Sequence, residues 1–386
     1  MQPWRRTFLV LPFVFFVFGL MLTLSRPDSV LHPFTPTTCA FHSDPATNTS
    51  TADLDNLSSL VRALWRPLIL PITEPSFTTY DGETKRLPPE SELAHRSSLG
   101  SRLLILDVDT RPHVGDGEVF NPTTPPLWSN LDIHSAGFLS HSLYAMIHGY
   151  SYKFVRAPAY ADRAPHWVKV IFTQEMLKQY EYVVMVDFDA MFTNPAVPIE
   201  WLMNYWRIND QVMVAMAEDP HTGGNADRKG NINLNSGFVI AHQSDNAQRL
   251  FKDWAECPEE TRYPGCAHYK NVMFHEQSGF SSFVRYDFLD GLTVEKSPGK
   301  EMIRQIPCSE ANGGPLPDGK GWFGNCKGQF VRHLWGGKGL TPQQLADGVM
   351  QAFVPLLGNV FTKAQTVADY RGSKLEGDQI KDKSAP

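Results

Sequence analysis

The chain has 386 residues, enough for one large domain or two moderate ones around a sizeable core. Its 42% hydrophobic and 20% charged residues are ordinary for a globular protein. A formal net charge of -6 offers no electrostatic footprint for nucleic acid, so no nucleic-acid partner is expected.

The first segment with a clear physical signature is Thr7 to Ser25, free of charged residues and dominated by Phe, Leu and Val. A spanning helix needs about 20 apolar residues, fewer in a thin membrane. Arg5 and Arg6 precede the run and Arg26 closes it, which favours a cytoplasmic amino terminus. Leu22-Thr23-Leu24-Ser25-Arg26 offers no small-residue cleavage site, so an uncleaved anchor is expected over a signal peptide. Residues 1–25 thus read as cytoplasmic tip and anchor, and the rest of the chain faces the secretory lumen. Two sequons, Asn48-Thr49-Ser50 and Asn56-Leu57-Ser58, agree with that placement. Of five cysteines, Cys257–Cys266 and Cys308–Cys326 are the local disulfides expected in an oxidising lumen. Cys39 is left free or bridging another subunit, and other pairings stay open. No C-x-x-C pair occurs, which argues against a zinc ribbon.

Residues 26–98 are rich in Pro, Ser and Thr, with a short helical piece at Leu54 to Trp65, and read as a stem. From Ser101 the character changes. Leu103 to Leu106 is a buried-strand run ending in Asp107, Ser135 to His148 a helix, and Tyr150 to Arg156 a second strand. Val168 to Tyr180 reads as a helix, and Tyr182 to Val186 as a strand running straight into Asp187-Phe188-Asp189. Strands at Gln211 to Ala217 and Gly237 to Ala241 follow, then helices at Asn246 to Ala255 and Gln343 to Phe353. Alternating strands and helices argue for an α/β fold with a mostly parallel sheet, whose ligands bind beyond the carboxyl ends of strands. There is no G-x-G-x-x-G after the first strand and no P-loop sequence, which disfavours dinucleotide and P-loop sites.

Two acid pairs carry the chemistry. Asp187 and Asp189, just past an unbroken apolar strand, can converge on one divalent ion, and hard cations select carboxylates and phosphate oxygens. The bland alternative is a surface turn with two solvated acids. Asp107-Val108-Asp109-Thr110 is a competing pair, which suggests a phosphatase whose aspartate nucleophile follows the first strand. Arg111 departs from that motif, which wants Thr or Val there.

His166-Trp167-Val168-Lys169 and Tyr182-Val183-Val184-Met185-Val186-Asp187-Phe188-Asp189-Ala190-Met191-Phe192 together resemble the core of glycosyltransferase family 34. Tyr144 to Tyr150, Leu234 to Ile240, His275-Glu276-Gln277-Ser278 and Arg332 to Lys338 resemble its other segments, in the same order. The resemblance implies a GT-A type nucleotide-diphospho-sugar transferase fold, with a catalytic domain at 99–345 and a helix and polar tail at 346–386. It also implies retaining transfer and Mn²⁺ dependence, with Mg²⁺ as the alternative ion. Asp187, Asp189 and His333 become metal ligands. Lys169 and Lys338 face the donor diphosphate, and Asp187, Asn235 and Ser236 also bind the nucleotide sugar. Glu276 and Gln277 are the catalytic candidates, lining donor sugar and acceptor. Phe188 stands where the family usually has Ser, and Glu276 where it has Asp, which leaves the sugar open. The function expected is hexosyl or pentosyl transfer from a UDP- or GDP-sugar to a glycan or glycoprotein. The setting expected is the Golgi lumen, on a single-pass type II membrane protein, alone or in a glycosyltransferase complex. The rival readings are an inert subunit of such a complex and the lumenal phosphatase.

Overall fold

The computed structural model describes residues 51–222, 224–288, 303–315, 321–324 and 326–364. The apolar run Thr7 to Ser25, Cys39, Asn48 and the tail from Tyr370 lie outside them. Among the described residues no helix is long and apolar enough to cross a membrane. The chain divides into two units at Ser50, and the described residues all belong to the second, Thr51–Pro386.

Its elements run α1 (Thr51–Trp65), β1 (Ser76–Thr78), β2 (Thr84–Arg86), β3 (Leu103–Asp109), α2 (Ile133–His148), β4 (Ser151–Arg156), α3 (Val168–Met176), β5 (Tyr182–Val186) and β6 (Ala190–Phe192). There follow α4 (Ile199–Tyr205), β7 (Val214–Glu218), β8 (Leu234–His242), α5 (Asp245–Ala255), α6 (His275–Ser282), β9 (Ile303–Ile306), α7 (Cys308–Ala311), β10 (Val331–His333) and α8 (Thr341–Ala364).

Six strands form one sheet in the order β4-β3-β5-β8-β7-β9. Five point the same way, and β8 alone runs against both its neighbours. The expected α/β class with a mostly parallel sheet is what the chain adopts. The reason is legible in β5, where all five residues of Tyr-Val-Val-Met-Val are buried. A strand covered by helices on both faces has no solvent side and so carries no polar alternation. One face packs on Tyr144, Phe192, Trp201, Phe238 and Phe330, the other on Trp167, Phe251, Trp254 and Phe280. Fully burying each such side chain stabilises the fold by roughly 1.5–3 kcal/mol. Both expected disulfides, Cys257–Cys266 and Cys308–Cys326, are formed.

Several boundaries differ from the sequence reading, among them the start of β8, at Leu234 rather than Gly237. The α3 helix stops at Met176, and Leu177 to Tyr180 form the turn that feeds β5. Gln211 to Met213 precede β7 rather than begin it. The last helix runs to Ala364, past Pro355. The segment expected as a stem, 26–98, contributes packed structure from Thr51 onward. Trp65 is buried against Phe353 of α8, with ring centroids 5.2 Å apart. Trp201 donates its indole N–H to the Glu74 carbonyl at 2.9 Å, and Asn204 exchanges two hydrogen bonds with the His95 backbone. Pro-rich sequence without periodicity still orders when tertiary partners take its backbone groups.

Two features set the position of the acid turn after β5. Helix α2 is capped by Asp132, whose carboxylate accepts the N–H groups of His134 and Ser135. Its Gly137 lies against the Phe188 backbone so closely that an added Cβ would sit 1.9 Å from the Phe188 carbonyl oxygen. On the far side, β6 pairs antiparallel with β10, which places His333 opposite Ala190.

Candidate active site

The chain leaves β5 and turns at once. Asp187 N–H donates to the Gly237 carbonyl at 2.8 Å, Ala190 N–H to the Asp187 carbonyl at 2.8 Å, and Leu334 N–H to the Asp189 carbonyl at 2.7 Å. These bonds tie the turn to β8 and β10 and fix where both carboxylates sit. Nε2 of His333 lies 3.5 Å from Oδ1 of Asp189 and 3.9 Å from Oδ2 of Asp187. One ligand atom from each of Asp187, Asp189 and His333 falls within 4.8 Å of the others. The expected metal set, drawn from residues 146 positions apart at its extremes, does converge.

The donor chemistry fits a divalent ion. Asp189 is 2% exposed and, among the described residues, its Oδ2 has only the Lys338 ammonium, at 3.2 Å, while Nδ1 of His333 is buried and unbonded. Burial would raise the Asp189 carboxyl, but His333 and then Lys338 outweigh it and hold the group well below the usual carboxylate range. An ionised, buried, incompletely bonded carboxylate beside an imidazole is a ready cation site. The room for the ring comes from Gly237, where an added Cβ would lie 2.1 Å from Cε1 of His333. Two oxygens and an imidazole suit Mn²⁺, with Mg²⁺ less favoured by the nitrogen.

Lys169 differs from expectation in its orientation. It is buried, and its ammonium donates to Asp187 at 2.8 and 3.1 Å and to the Ser236 carbonyl at 3.2 Å, with Glu276 at 3.1 Å. A buried ammonium must be paired. Burial alone would lower its pKa, and Asp187 and Glu276 together raise it above the ordinary lysine value. Lys169 therefore braces two acids instead of pointing freely into a cavity. Lys338 is the half-exposed lysine, 3.2 Å from Oδ2 of Asp189.

Glu276 and Gln277, on the first turn of α6, meet Asn235 and Ser236 at the start of β8. Ser236 Oγ donates to Oε1 of Glu276 at 2.7 Å, while Oε2 of Glu276 is buried with no hydrogen bond. Burial pushes the Glu276 carboxyl up, but Lys169 outweighs this and holds it below its ordinary value, so it is ionised. Gln277 accepts the Ser236 N–H at 3.1 Å and donates to Asp219 at 2.5 Å. Asp219 also accepts from Asn235 at 2.8 Å and from Asn312 at 3.3 Å. The sequence reading missed Asp219, whose carboxyl is raised by burial despite these donors. Its signal was available: an acid at the end of a buried apolar strand, as at Asp187.

Two adjoining cavities open here, of about 270 and 320 Å³. His166, Lys169, Asp187, Asp189 and Lys338 border both. The first continues along the end of β3, past Asp109 and Arg111. The second is lined by Asp219, Asn235, Ser236, Glu276, Gln277 and His333. Every residue expected in the site lines one cavity or the other.

Residues 164–317 match the family model of the nucleotide-diphospho-sugar transferases. The enzyme class is accordingly a glycosyltransferase. That match contains Lys169, both acids, Asn235, Ser236, Glu276 and Gln277, and it ends before His333 and Lys338. Solved structures with a similar chain course include a glycosyltransferase involved in the glycosylation of the major capsid of PBCV-1. It is 12% identical over 63% of this chain and 98% of its own, with a TM-score of 0.39. Mouse xyloside xylosyltransferase 1 in its apo form aligns at 11% identity over 61% of this chain and 97% of its own, TM-score 0.35. An active-site mutant of LgtC aligns at 11% identity, over 64% and 95%, TM-score 0.30. Scores this low carry no functional weight. No curated protein matches the chain.

Proposed function

We propose that this chain is a metal-dependent, retaining glycosyltransferase of family 34 type. It would move a hexosyl or pentosyl group from a UDP- or GDP-sugar to a glycan or glycoprotein. The observation that carries the metal reading is the convergence of Asp187, Asp189 and His333 at the border of two cavities. Bound there, Mn²⁺ would act as a Lewis acid on the donor diphosphate. Lys338, half-exposed beside Asp189, is placed to neutralise the departing phosphate charge. Gln277 and Asn235, both locked through Asp219, present fixed amide groups toward the sugar. Glu276 offers the bare Oε2 of an ionised carboxylate, which suits either attack on the anomeric carbon or support of its developing positive charge. Lys169 and Ser236 hold the other oxygen and so orient the group.

The phosphatase reading loses support, because Asp107 is occupied. Nδ1 of His141 lies 2.9 and 3.1 Å from its two oxygens, and Tyr152 donates to Oδ2 at 2.8 Å. For the cellular setting, the run Thr7 to Ser25 and the sequons support a single-pass type II protein of the Golgi membrane. The test is donor hydrolysis by the purified chain across UDP- and GDP-sugars, with and without Mn²⁺. Turnover of one donor that disappears with chelator is expected. Equal rates without metal, or no turnover of any donor, would refute the reading.

A further inference from the structure

The mouth of the second cavity has a chemistry that donor binding does not use. Val272, Met273 and Phe274 are consecutive, apolar and exposed, at 44%, 68% and 38%. Singly exposed apolar residues are normal, but three in a row at the rim of a polar cleft keep apolar surface in water without a partner to cover it. They are not loose chain. His275 N–H donates to the Val272 carbonyl at 2.8 Å, and Phe274 N–H to Ser278 Oγ at 2.9 Å. Upstream, Ala164 N–H donates to the Lys270 carbonyl, Trp167 Nε1 to the Tyr269 carbonyl, and Lys270 reaches Asp162 at 2.8 Å. A pinned backbone thus displays Met273 and Phe274 into the cavity that holds Glu276, Gln277 and His333. Trp335 lines the same cavity, its indole N–H directed to Asn312 at 3.3 Å.

We infer that Met273 and Phe274 form the platform on which the acceptor's pyranose ring stacks, with its hydroxyl edge turned to the polar floor. This rests on the glycosyl-transfer reading and names the acceptor's recognition element within it. A pyranose has an apolar C–H face and a polar rim, which is the division this cavity shows. An alkyl chain or other wholly apolar occupant would strip water from the half-exposed Lys338 ammonium and offer no partner to the bare Oε2 of Glu276, both of which line the same space. On that reading the first cavity, along the end of β3, takes the donor nucleotide. The acid pair borders both cavities.

The test compares the full wild-type chain with Met273→Ala/Phe274→Ala and with Phe274→Tyr. Methyl glycosides and p-nitrophenyl glycosides of glucose, galactose, mannose and xylose serve as acceptors. For the double variant the ratio of transfer to donor hydrolysis should fall and the acceptor KM rise about tenfold, as for loss of a buried aromatic contact. Phe274→Tyr should restore both. Saturation-transfer NMR of the methyl glycosides needs no turnover and should lose its signal in the same variant. An unchanged ratio would overturn the platform while leaving donor turnover, and so the proposed function, intact. A defect confined to p-nitrophenyl glycosides would overturn it in favour of an aglycone site. Methyl glycosides that bind wild type and variant alike would overturn it even in a chain with no donor turnover.

Discussion

Two D-x-D sequences end neighbouring strands of one sheet, and they behave differently. β3 and β5 are paired in parallel register, so Asp107-Val108-Asp109 and Asp187-Phe188-Asp189 emerge side by side. In the first pair every carboxylate is spoken for. Asp107 is bonded by His141 and Tyr152, and Asp109 by the Arg111 backbone at 2.8 Å and its guanidinium at 2.6 and 3.0 Å. In the second pair, among the described residues, Asp189 is met only by the half-exposed Lys338 ammonium at 3.2 Å and an imidazole 3.5 Å off, whose Nδ1 is itself unbonded. The motif is identical; the neighbours decide its chemistry. The pairs are also linked. Nε2 of His141 reaches the carbonyl of Ala190, the residue after Asp189, at 2.9 Å. The first pair thus helps to hold the turn that carries the second.

The strongest way to break this comparison is to neutralise one acid in each pair. Asp189→Asn should cost about 10²–10³ in donor turnover, the scale of losing one positioned electrostatic group. It should also abolish the gain in melting temperature that Mn²⁺ and donor together give wild type, since a ligand stabilises only through the state it binds. Calorimetry with and without both ligands reads this. If Asp109→Asn abolishes that gain and Asp189→Asn keeps it, the two pairs have been assigned the wrong way round.

Gly237→Ala sharpens the same point without touching a ligand. The new Cβ would crowd Cε1 of His333 at 2.1 Å, so the ring must move while all three ligand residues remain. Mn²⁺ affinity should weaken about 10–100-fold, as for loss of an orienting contact around a metal. A titration showing unchanged Mn²⁺ affinity, with the variant folded, would remove His333 from the set.

The fold and site were legible in sequence only as far as local pattern records them. The buried strands β3 and β5 showed themselves as apolar runs, and the acids after β5 stood out because nothing polar precedes them. Both disulfides were the local pairings expected of an oxidising lumen, with other pairings left open, and both form. What sequence did not disclose are contacts set by topology. That Lys169 would be consumed by Asp187 and Glu276 depends on α3 lying across the end of β5. That Asp219 would gather Asn235, Gln277 and Asn312 depends on three separate segments meeting. The stretch 51–98 lacks periodicity because its order comes from the partners it packs on, among them α2, α4 and α8, rather than from its own pattern. His141 gave no signal, being one of several polar residues in its helix, beside Ser135, Ser140, Ser142 and His148.

Asp109→Asn is the milder expectation. It removes the charge that Arg111 and His113 surround, so stability should fall by about 1.5–3 kcal/mol, the range for hydrogen bonds to a charged group. The Mn²⁺ dependence of turnover should persist, and urea unfolding beside a metal titration separates the two. A variant as stable as wild type would mean that the Asp109 network is idle.

The smallest effect concerns pH and the Asp107–His141 contact. Nδ1 of His141 faces a carboxylate and Nε2 faces a backbone carbonyl, and both partners only accept. Both ring nitrogens must then carry hydrogen, which makes the buried ring an imidazolium. Burial would lower its pKa, but the charge and hydrogen bond of Asp107 outweigh that and raise it above the ordinary histidine value. A group raised on folding binds its proton more tightly in the native state. Its stabilisation is therefore complete below the unfolded value of about 6.5 and is lost as pH climbs through the native one, with a slope of at most about 1.4 kcal/mol per pH unit. Wild type should lose stability above neutrality with a component that His141→Gln lacks, and unfolding free energies measured from pH 6 to 9 would show it. Tyr152→Phe should keep that slope while lowering stability by about 1.5–3 kcal/mol, since it removes one hydrogen bond to the Asp107 carboxylate and leaves the imidazolium contact in place. Parallel pH curves for wild type and His141→Gln would mean that the ring is neutral, and that the first acid pair steadies the Ala190 carbonyl by a single hydrogen bond without charge.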